Sequence, residues 1–170
     1  MFRFYKEKDP ILWVKTAVKI SKEIDDIYFL LIGVGPMFSK ILSEAKKHGI
    51  DNKLILPGAE KNPALPISLM DVFLLTSKQE GTPNVIIEAQ WLRVPVVATD
   101  AGGTKEAFLD GETGLLSKRR KPKDLAELVI KIINDNNWRA VAKEKSRAFV
   151  ESRFGKKRMV SEMLDLYKLS

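Results

Sequence analysis

The sequence contains no cysteine and a single histidine, His48, among its 170 residues. The absence of cysteine excludes disulfide bonds, thiolate metal sites and cysteine nucleophiles, and a single histidine excludes a histidine cluster. No apolar run comes near the roughly 18 residues that a membrane-spanning helix needs. The first six residues also lack the apolar stretch of about 7–15 residues found in a secretory signal. These absences predict a cytoplasmic protein.

The composition is that of one folded, basic domain. Apolar residues make up 45% of the chain, which is enough for a core and excludes a disordered or fibrous protein. Lys and Arg number 29 against 22 Asp and Glu, a formal net charge of +7. Such a charge attracts nucleic acid, an anionic membrane face or phosphorylated small molecules. The basic runs at residues 118–121 and 156–158 are short and have no repeating aromatic partners, so we expect solvated surface, or a membrane or partner contact, rather than nucleic-acid binding.

Apolar runs, turns with glycine or proline, and amphipathic stretches alternate along the chain without repeats or linkers. Asp9 and Pro10 are residue types that cap and start a helix, and Pro122 starts another. Continuous apolar strands that alternate with helices are typical of a parallel sheet covered on both faces. The sequence therefore predicts a doubly wound, mainly parallel α/β domain, Rossmann-like, with extra C-terminal helices. Strands are expected at residues 27–32, 54–56, 72–75, 95–98 and 114–116, and helices from residue 10, up to about residue 48, near 83–92, from 122, and around 138–150 and 155–167.

Ligands of such domains bind at the carboxyl ends of the strands, so the loops there are the candidates for a site. The loop Gly33-Val34-Gly35-Pro36 begins like a dinucleotide fingerprint, but Phe38 stands at the third glycine position. Lys53 replaces the expected acidic residue, so we expect no NAD site. The two glycines either let a ligand approach the backbone or form a tight strand-to-helix turn.

Residues 77–89 form the most informative loop and helix. Thr82 has the residue type of a cap and Pro83 that of a first helical residue, which leaves amides free at Gly81, Asn84 and Val85. A helix N-terminus of this kind attracts anions through its unpaired N–H groups and its dipole.

Two carboxylates flank this helix start. Glu80 precedes it, and Glu88 lies about 7–8 Å along the axis from Pro83 at a rise of about 1.5 Å per residue. Each carboxylate is placed to accept hydrogen bonds from hydroxyl groups on either side of a phosphate, for example those of a ribose and of a sugar. The alternative is a surface capping acid and an unrelated acid on a helix face.

Two further clusters follow strands. Arg3 and Lys8 offer a guanidinium fork and a point charge for phosphate oxygens, although such a pair is also common as surface charge. In the loop of residues 100–106, Gly102 and Gly103 bring amides within reach of a ligand. His48 precedes Gly49 and is expected at a helix C-terminus, away from these loops.

These elements, in this order, resemble the C-terminal domain of the glycogen-synthase-like, group 1 family of retaining, nucleotide-sugar-dependent glycosyltransferases with the GT-B fold. The resemblance covers Arg3 to about Tyr167. It is carried by Arg3 and Lys8, Gly33-Val34-Gly35-Pro36, Ser77 with Glu80-Gly81-Thr82-Pro83-Asn84, the Glu80 to Glu88 spacing, residues 94–100, Gly102-Gly103 with Glu106, and Gly111 with residues 113–116.

The resemblance implies a role for each matching residue. Arg3 and Lys8 would hold the donor diphosphate and stabilise the departing nucleoside diphosphate in place of a metal ion, so no metal and no cofactor is expected. Glu88 would bind the ribose hydroxyls and Glu80 the donor sugar, with a role for Glu80 as a nucleophile left open. The full donor-binding set implied is Gly33, Gly35, Gly58, Gly81, Thr82, Pro83, Asn84, Val85, Glu88, Gly102 and Gly103, with Arg3, Lys8 and Glu80 as the catalytic set.

The resemblance also implies a partner domain. GT-B enzymes have an N-terminal acceptor domain, and residues 1–4 look like the end of a strand already under way, so residues 1–170 are expected to be a donor-binding domain taken from a longer protein. The donor would be a UDP-, GDP- or ADP-sugar, and the expected context is polysaccharide or lipid-linked glycan assembly, in the cytoplasm or at the inner membrane face. Two other functions stay open, a non-catalytic nucleotide-binding or regulatory module and a nucleotide-sugar epimerase-like relative.

Overall fold

The structure is a computed structural model that describes residues 2–168. Strands and helices alternate through most of this range, and three helices follow the last strand. The strands are β1 (Phe2–Arg3), β2 (Phe29–Leu30), β3 (Gly33–Val34), β4 (Leu54–Ile55), β5 (Phe73–Leu75), β6 (Val96–Thr99) and β7 (Gly114–Ser117). The helices are α1 (Pro10–Ile20), α2 (Phe38–Lys47), α3 (Ala64–Ser68), α4 (Asn84–Trp91), α5 (Pro122–Asn134), α6 (Asn136–Phe154) and α7 (Lys156–Lys168).

Every strand pairing in residues 2–168 is parallel, as the apolar runs predict. The strands form three groups: β1 with β3, β2 with β4, and β5, β6 and β7 in that order. β2 and β3 are successive pieces of one extended segment, so this segment has β4 along one edge and β1 along the other. The Lys78 N–H donates to the Glu7 carbonyl (2.7 Å), which joins the loop after β5 to the loop after β1. The order across the domain is therefore β4, β2/β3, β1, β5, β6, β7.

Helices cover the strands in two groups. α1 packs against α2 and α5, and α4 packs against α3 and α6. The core between them includes the fully buried side chains of Phe4, Leu75, Ile86, Val96 and Leu125. This arrangement confirms the doubly wound α/β prediction.

Two local predictions have different outcomes. Asp9 caps α1 as expected, because its Oδ1 accepts a hydrogen bond from the Leu12 N–H (3.3 Å). The prediction that the first apolar strand ends at Ile32 is wrong, because Gly33 and Val34 pair with Phe2 and Arg3 as a further strand segment. The part of the early-strand prediction that concerns Met1 lies outside the described residues.

Of the C-terminal helices, α6 packs against α4 and α5, and α7 packs against α6. The larger apolar side chains of α7, among them Met159, Met163 and Leu164, are about half exposed. His48 lies at the C-terminal cap of α2, as predicted, 3.3 Å from the Glu44 carboxylate. No helix within residues 2–168 is long and apolar enough to cross a membrane.

Candidate functional site

The loops after β1 and β5 meet in an ion pair at the carboxyl ends of the strands. The Lys8 Nζ lies 2.5 Å from the Glu80 Oε1, although 72 positions separate the two residues in the sequence. The Glu80 side chain is only 10% exposed and that of Lys8 is 30% exposed. A pair this close and this shielded from water keeps much of its electrostatic attraction. Two of the three predicted catalytic residues are therefore in direct contact.

The loop after β6 packs directly on the backbone of the Glu80 loop. Glu80 and Gly102 form a parallel bridge, and the Glu80 N–H donates to the Ala101 carbonyl (2.9 Å). A Cβ on Gly102 would lie 2.7 Å from the Glu80 carbonyl oxygen, and one on Gly103 would lie 2.6 Å from that of Gly81. Real Cβ atoms do not approach this closely, so the contact requires glycine at both positions. It brings Glu80, Gly81, Gly102 and Gly103 together.

The predicted amide role of Gly103 needs a correction. Its N–H donates to the Glu80 carbonyl (3.2 Å), so that amide already has a partner inside the protein. The two glycines shape the site by allowing close backbone packing, and Gly103 offers no free donor.

The helix start is also one residue later than predicted. Pro83 is the N-cap residue, with φ −76° and ψ 107°, and α4 begins at Asn84. Thr82 does not cap the helix, since no side-chain hydrogen bond is made at this cap. Within residues 2–168 the amides of Gly81, Asn84 and Val85 have no hydrogen-bond acceptor. Three free N–H groups thus lie beside Glu80 in the sequence, at the positive end of the helix dipole.

The second group of predicted glycines lies at the ends of β3 and β4. The Gly33 N–H donates to the Gly58 carbonyl (2.7 Å), which brings these two residues together. A Cβ on Gly35 would lie 2.7 Å from the Phe4 backbone nitrogen, so the end of β1 packs against this loop. Close packing therefore accounts for glycine at position 35. A Cβ on Gly58 would meet no atom within 4 Å, so the space beside Gly58 is open.

Arg3 and Glu88 are the exposed charged residues of the predicted set. Neither side chain makes a hydrogen bond or an ion pair within the described part of the chain. An unpaired guanidinium and an unpaired carboxylate are available to a ligand without breaking an existing contact. No group of three or more His, Cys, Asp or Glu side chains in residues 2–168 is placed to hold a metal ion.

Arg120, which sequence reasoning did not single out, joins the loops that carry the ion pair. Its Nη2 donates to the Asp9 Oδ2 (2.7 Å) and to the Thr76 carbonyl (3.0 Å), and its Nη1 donates to the Ser77 carbonyl. One guanidinium therefore ties the loop after β7 to the loops after β1 and β5.

Thr76 makes a second link between the same loops. Its fully buried hydroxyl lies 3.0 Å from the Lys8 carbonyl and 3.1 Å from that of Asp9. The backbone of Lys8 is thus held against the segment that carries Glu80. In the sequence, Thr76 stands out as a polar residue directly after an apolar strand. Nothing in the sequence distinguishes Arg120 from the other basic residues of the run 118–121.

Comparisons with known proteins identify the family of the chain. The model of the family described as glycosyl transferases group 1 matches residues 1–149. The Vi polysaccharide biosynthesis protein VipC/TviE of Salmonella typhi is 31% identical over 163 residues, which is 94% of this chain and 28% of that protein. The chain spans less than half the length of the curated relatives it matches first.

Solved structures show the same fold. Anabaena Alr3699/HepE in complex with UDP has a TM-score of 0.91 at 19% identity, covering 100% of this chain and 48% of that one. The C-terminal domain of a group 1 glycosyl transferase, LpcC, from Francisella tularensis has a TM-score of 0.81 at 22% identity, covering 91% of this chain and 83% of that one. At these identities the two structures establish the architecture alone.

Proposed function

Since the chain belongs to the group 1 glycosyl transferases and has the fold of the C-terminal half of a GT-B enzyme, we propose that it binds the nucleotide-sugar donor. The donor would lie over the carboxyl ends of the strands, against the Lys8–Glu80 pair and the free amides at the start of α4. The sugar would be a hexose that the complete enzyme transfers with retention to a saccharide or lipid-linked acceptor. The Lys8–Glu80 ion pair is the observation that carries this proposal.

The ion pair suits the charge that develops during glycosyl transfer. When the bond between the anomeric carbon and the diphosphate breaks, the electron pair stays on the phosphate oxygen, and the leaving group gains negative charge. Lys8, together with Arg3, would stabilise that charge, which is the kind of electrostatic effect that lowers barriers most in a shielded site. Glu80 would hold Lys8 in position and accept a hydrogen bond from the donor sugar.

The remaining contacts divide between the two ends of the donor. The amides of Gly81, Asn84 and Val85 would meet the phosphates, because an N–H group without a partner and a helix dipole both favour an anion. Glu88, one turn into α4 and exposed, would accept hydrogen bonds from the two ribose hydroxyls. The backbone around Gly58 would border the nucleobase.

The proposal includes an acceptor domain as the partner of this one, and no metal or cofactor. It also includes a cytoplasmic location with contact to the inner membrane face, supported by the exposed basic residues 156–158 of α7. The name of the Vi polysaccharide relative supports a role in polysaccharide assembly.

Calorimetric titration of the chain with UDP, GDP and ADP tests the proposal. We expect one nucleotide to bind. The UDP complex of the HepE structure makes UDP the first to try. Glu88→Ala removes carboxylate hydrogen bonds worth about 1.5–3 kcal/mol, which predicts a roughly 10- to 100-fold rise in Kd.

Glu127→Ala is the matched control, because Glu127 is also an exposed carboxylate in a helix but lies on α5. Its Kd should equal that of the unsubstituted chain. Absence of binding to all three nucleotides, or equal loss in both variants, would contradict the donor-site assignment.

A further inference from the structure

A concave groove lies between α1 and α2 and shares no residue with the predicted donor-binding and catalytic residues. Its volume is about 360 Å³, and small-molecule sites occupy roughly 300–1,000 Å³. The charged and titratable side chains that line it within residues 2–168 are Lys15, Lys19, Lys22, Glu44, Lys47 and His48. This basic groove therefore combines the size of a ligand site with an excess of positive charge.

Helical spacing sets these side chains in two facing rows. Lys15, Lys19 and Lys22 recur at intervals of four and three residues, which places them on one side of α1 and of the turn that follows it. The second row begins at Glu44 of α2 and continues at the positions three and four residues later. The Glu44 Oε1 lies 3.9 Å from the Lys15 Nζ and 3.3 Å from the His48 Nε2. The two rows thus face each other, and the carboxylate between them already has partners.

The remaining positive charge of the groove has no partner in the protein. α1 contains two lysines and no acidic residue, and α2 contains three lysines and one glutamate. Within residues 2–168, the exposed side chains of Lys19, Lys22 and Lys47 make no ion pair and no hydrogen bond. Like charges at helical spacing repel one another, so an anion between the rows would relieve that repulsion.

The lining favours a small soluble anion over a membrane surface. Its apolar residues are Val18, which is buried, and Pro122, which is half-buried, so neither offers an apolar side chain for insertion among lipids. A single phosphate group carries a charge of about −1.5 to −2, less than the three ammonium groups without partners supply. We propose that the basic groove binds a small soluble molecule with two or more linked phosphate groups. This inference is independent of the proposed function.

Titration with tripolyphosphate, followed by heteronuclear NMR of the backbone amides, tests the proposal. The amide signals of Lys19, Lys22 and Lys47 should shift in a saturable way. The amide of Val18, which lines the groove and stays unchanged in every variant below, supplies the Kd.

Two triple variants separate the groove from the overall charge of the chain. The groove variant carries Lys19→Gln, Lys22→Gln and Lys47→Gln. The matched control loses the same charge at exposed lysines outside the groove, through Lys46→Gln, Lys131→Gln and Lys156→Gln. We expect Kd to rise at least about tenfold in the groove variant and to stay within about twofold in the control.

Glu44→Gln adds a test with the opposite sign. It removes the carboxylate that lies in the groove and repels an anion, so Kd should fall by about threefold. Loss of folding or of general charge cannot produce tighter binding, and an unchanged or higher Kd in this variant would contradict the proposal.

Three further results would overturn the proposal. One is the absence of saturable shifts in the groove, or shifts confined to the amides of Gly81, Asn84 and Val85, which would place the phosphates at the donor site. Another is an equal Kd in the two triple variants, which would show that the groove lysines are ordinary solvated surface. The third is binding to phosphatidylserine vesicles that the groove variant loses, without any tripolyphosphate shift, which would identify a membrane surface instead.

Discussion

Replacing Arg120 by alanine removes the guanidinium that joins three loops of the candidate site. The side chain makes a hydrogen-bonded ion pair with Asp9 and donates to the carbonyls of Thr76 and Ser77. Arg120 is 31% exposed and Asp9 is 23% exposed, so the ion pair is partly shielded from water. A hydrogen bond to a charged group contributes about 1.5–3 kcal/mol, but water would replace part of these contacts. We expect Arg120→Ala to lower the free energy of unfolding by about 2–3 kcal/mol.

Arg119→Ala is the matched control. The Arg119 side chain also forms an ion pair, with Asp124, but it is 69% exposed. Exposed ion pairs contribute about 0–1 kcal/mol, so this variant should differ little from the original chain. Arg120→Lys keeps the charge but loses the fork that reaches three acceptors, and it should fall between the two.

Urea unfolding followed by circular dichroism measures these differences, and a change of 1 kcal/mol corresponds to about 2–4 °C in Tm for a domain of this size. Amide exchange at Lys78 adds a local readout, because its N–H donates to Glu7 across the joined loops. Exchange there should become faster in Arg120→Ala and stay unchanged in Arg119→Ala. Equal stability of the two alanine variants, together with unchanged exchange at Lys78, would refute the view that Arg120 holds the loops together.

Three further predictions follow from contacts in the same region. Gly103→Ala should destabilise the chain by about 1–3 kcal/mol, because the new Cβ meets the Gly81 carbonyl. Gly81→Ala places its Cβ in open space and should change stability by less than about 1 kcal/mol. Thermal unfolding compares the two variants. A double-mutant cycle with Lys8→Met and Glu80→Gln should give a coupling free energy of about 1–3 kcal/mol in urea unfolding, and additive effects would show that the ion pair adds nothing to stability. Replacing the three basic residues 156–158 by glutamine should reduce co-sedimentation with anionic phosphatidylserine vesicles by at least about tenfold, at about 1 kcal/mol per basic residue, and unchanged co-sedimentation would argue against a membrane contact through α7.

Short-range features were predictable because they depend on neighbours in the sequence. The Asp9-Pro10 pair predicts the start of α1, and the structure has that cap and that first residue. The same kind of reasoning placed the next cap at Thr82, and there it is wrong by one position. The sequence Thr82-Pro83 is compatible with an N-cap at either residue. Only the backbone torsion angles that the packed loop adopts decide between them.

The glycines at 102 and 103 show what a glycine in the sequence leaves open. Their presence after a strand predicted a place where a ligand approaches the backbone. The structure shows that another loop approaches instead, since Gly102 and Gly103 pack on the carbonyls of Glu80 and Gly81. A glycine in a sequence indicates close approach or unusual torsion angles, and it carries no information on which atoms come close.

The sequence by itself determined the alternation of strands and helices, the parallel sheet covered on both faces, and the family, because apolar periodicity, caps and motif order are all local. Only the tertiary structure decided that Lys8 meets Glu80 and that Arg120 joins three loops. These contacts join residues 72 and 111 positions apart. Such contacts depend on the order in which strands lie side by side, and that order is a property of the whole packed chain.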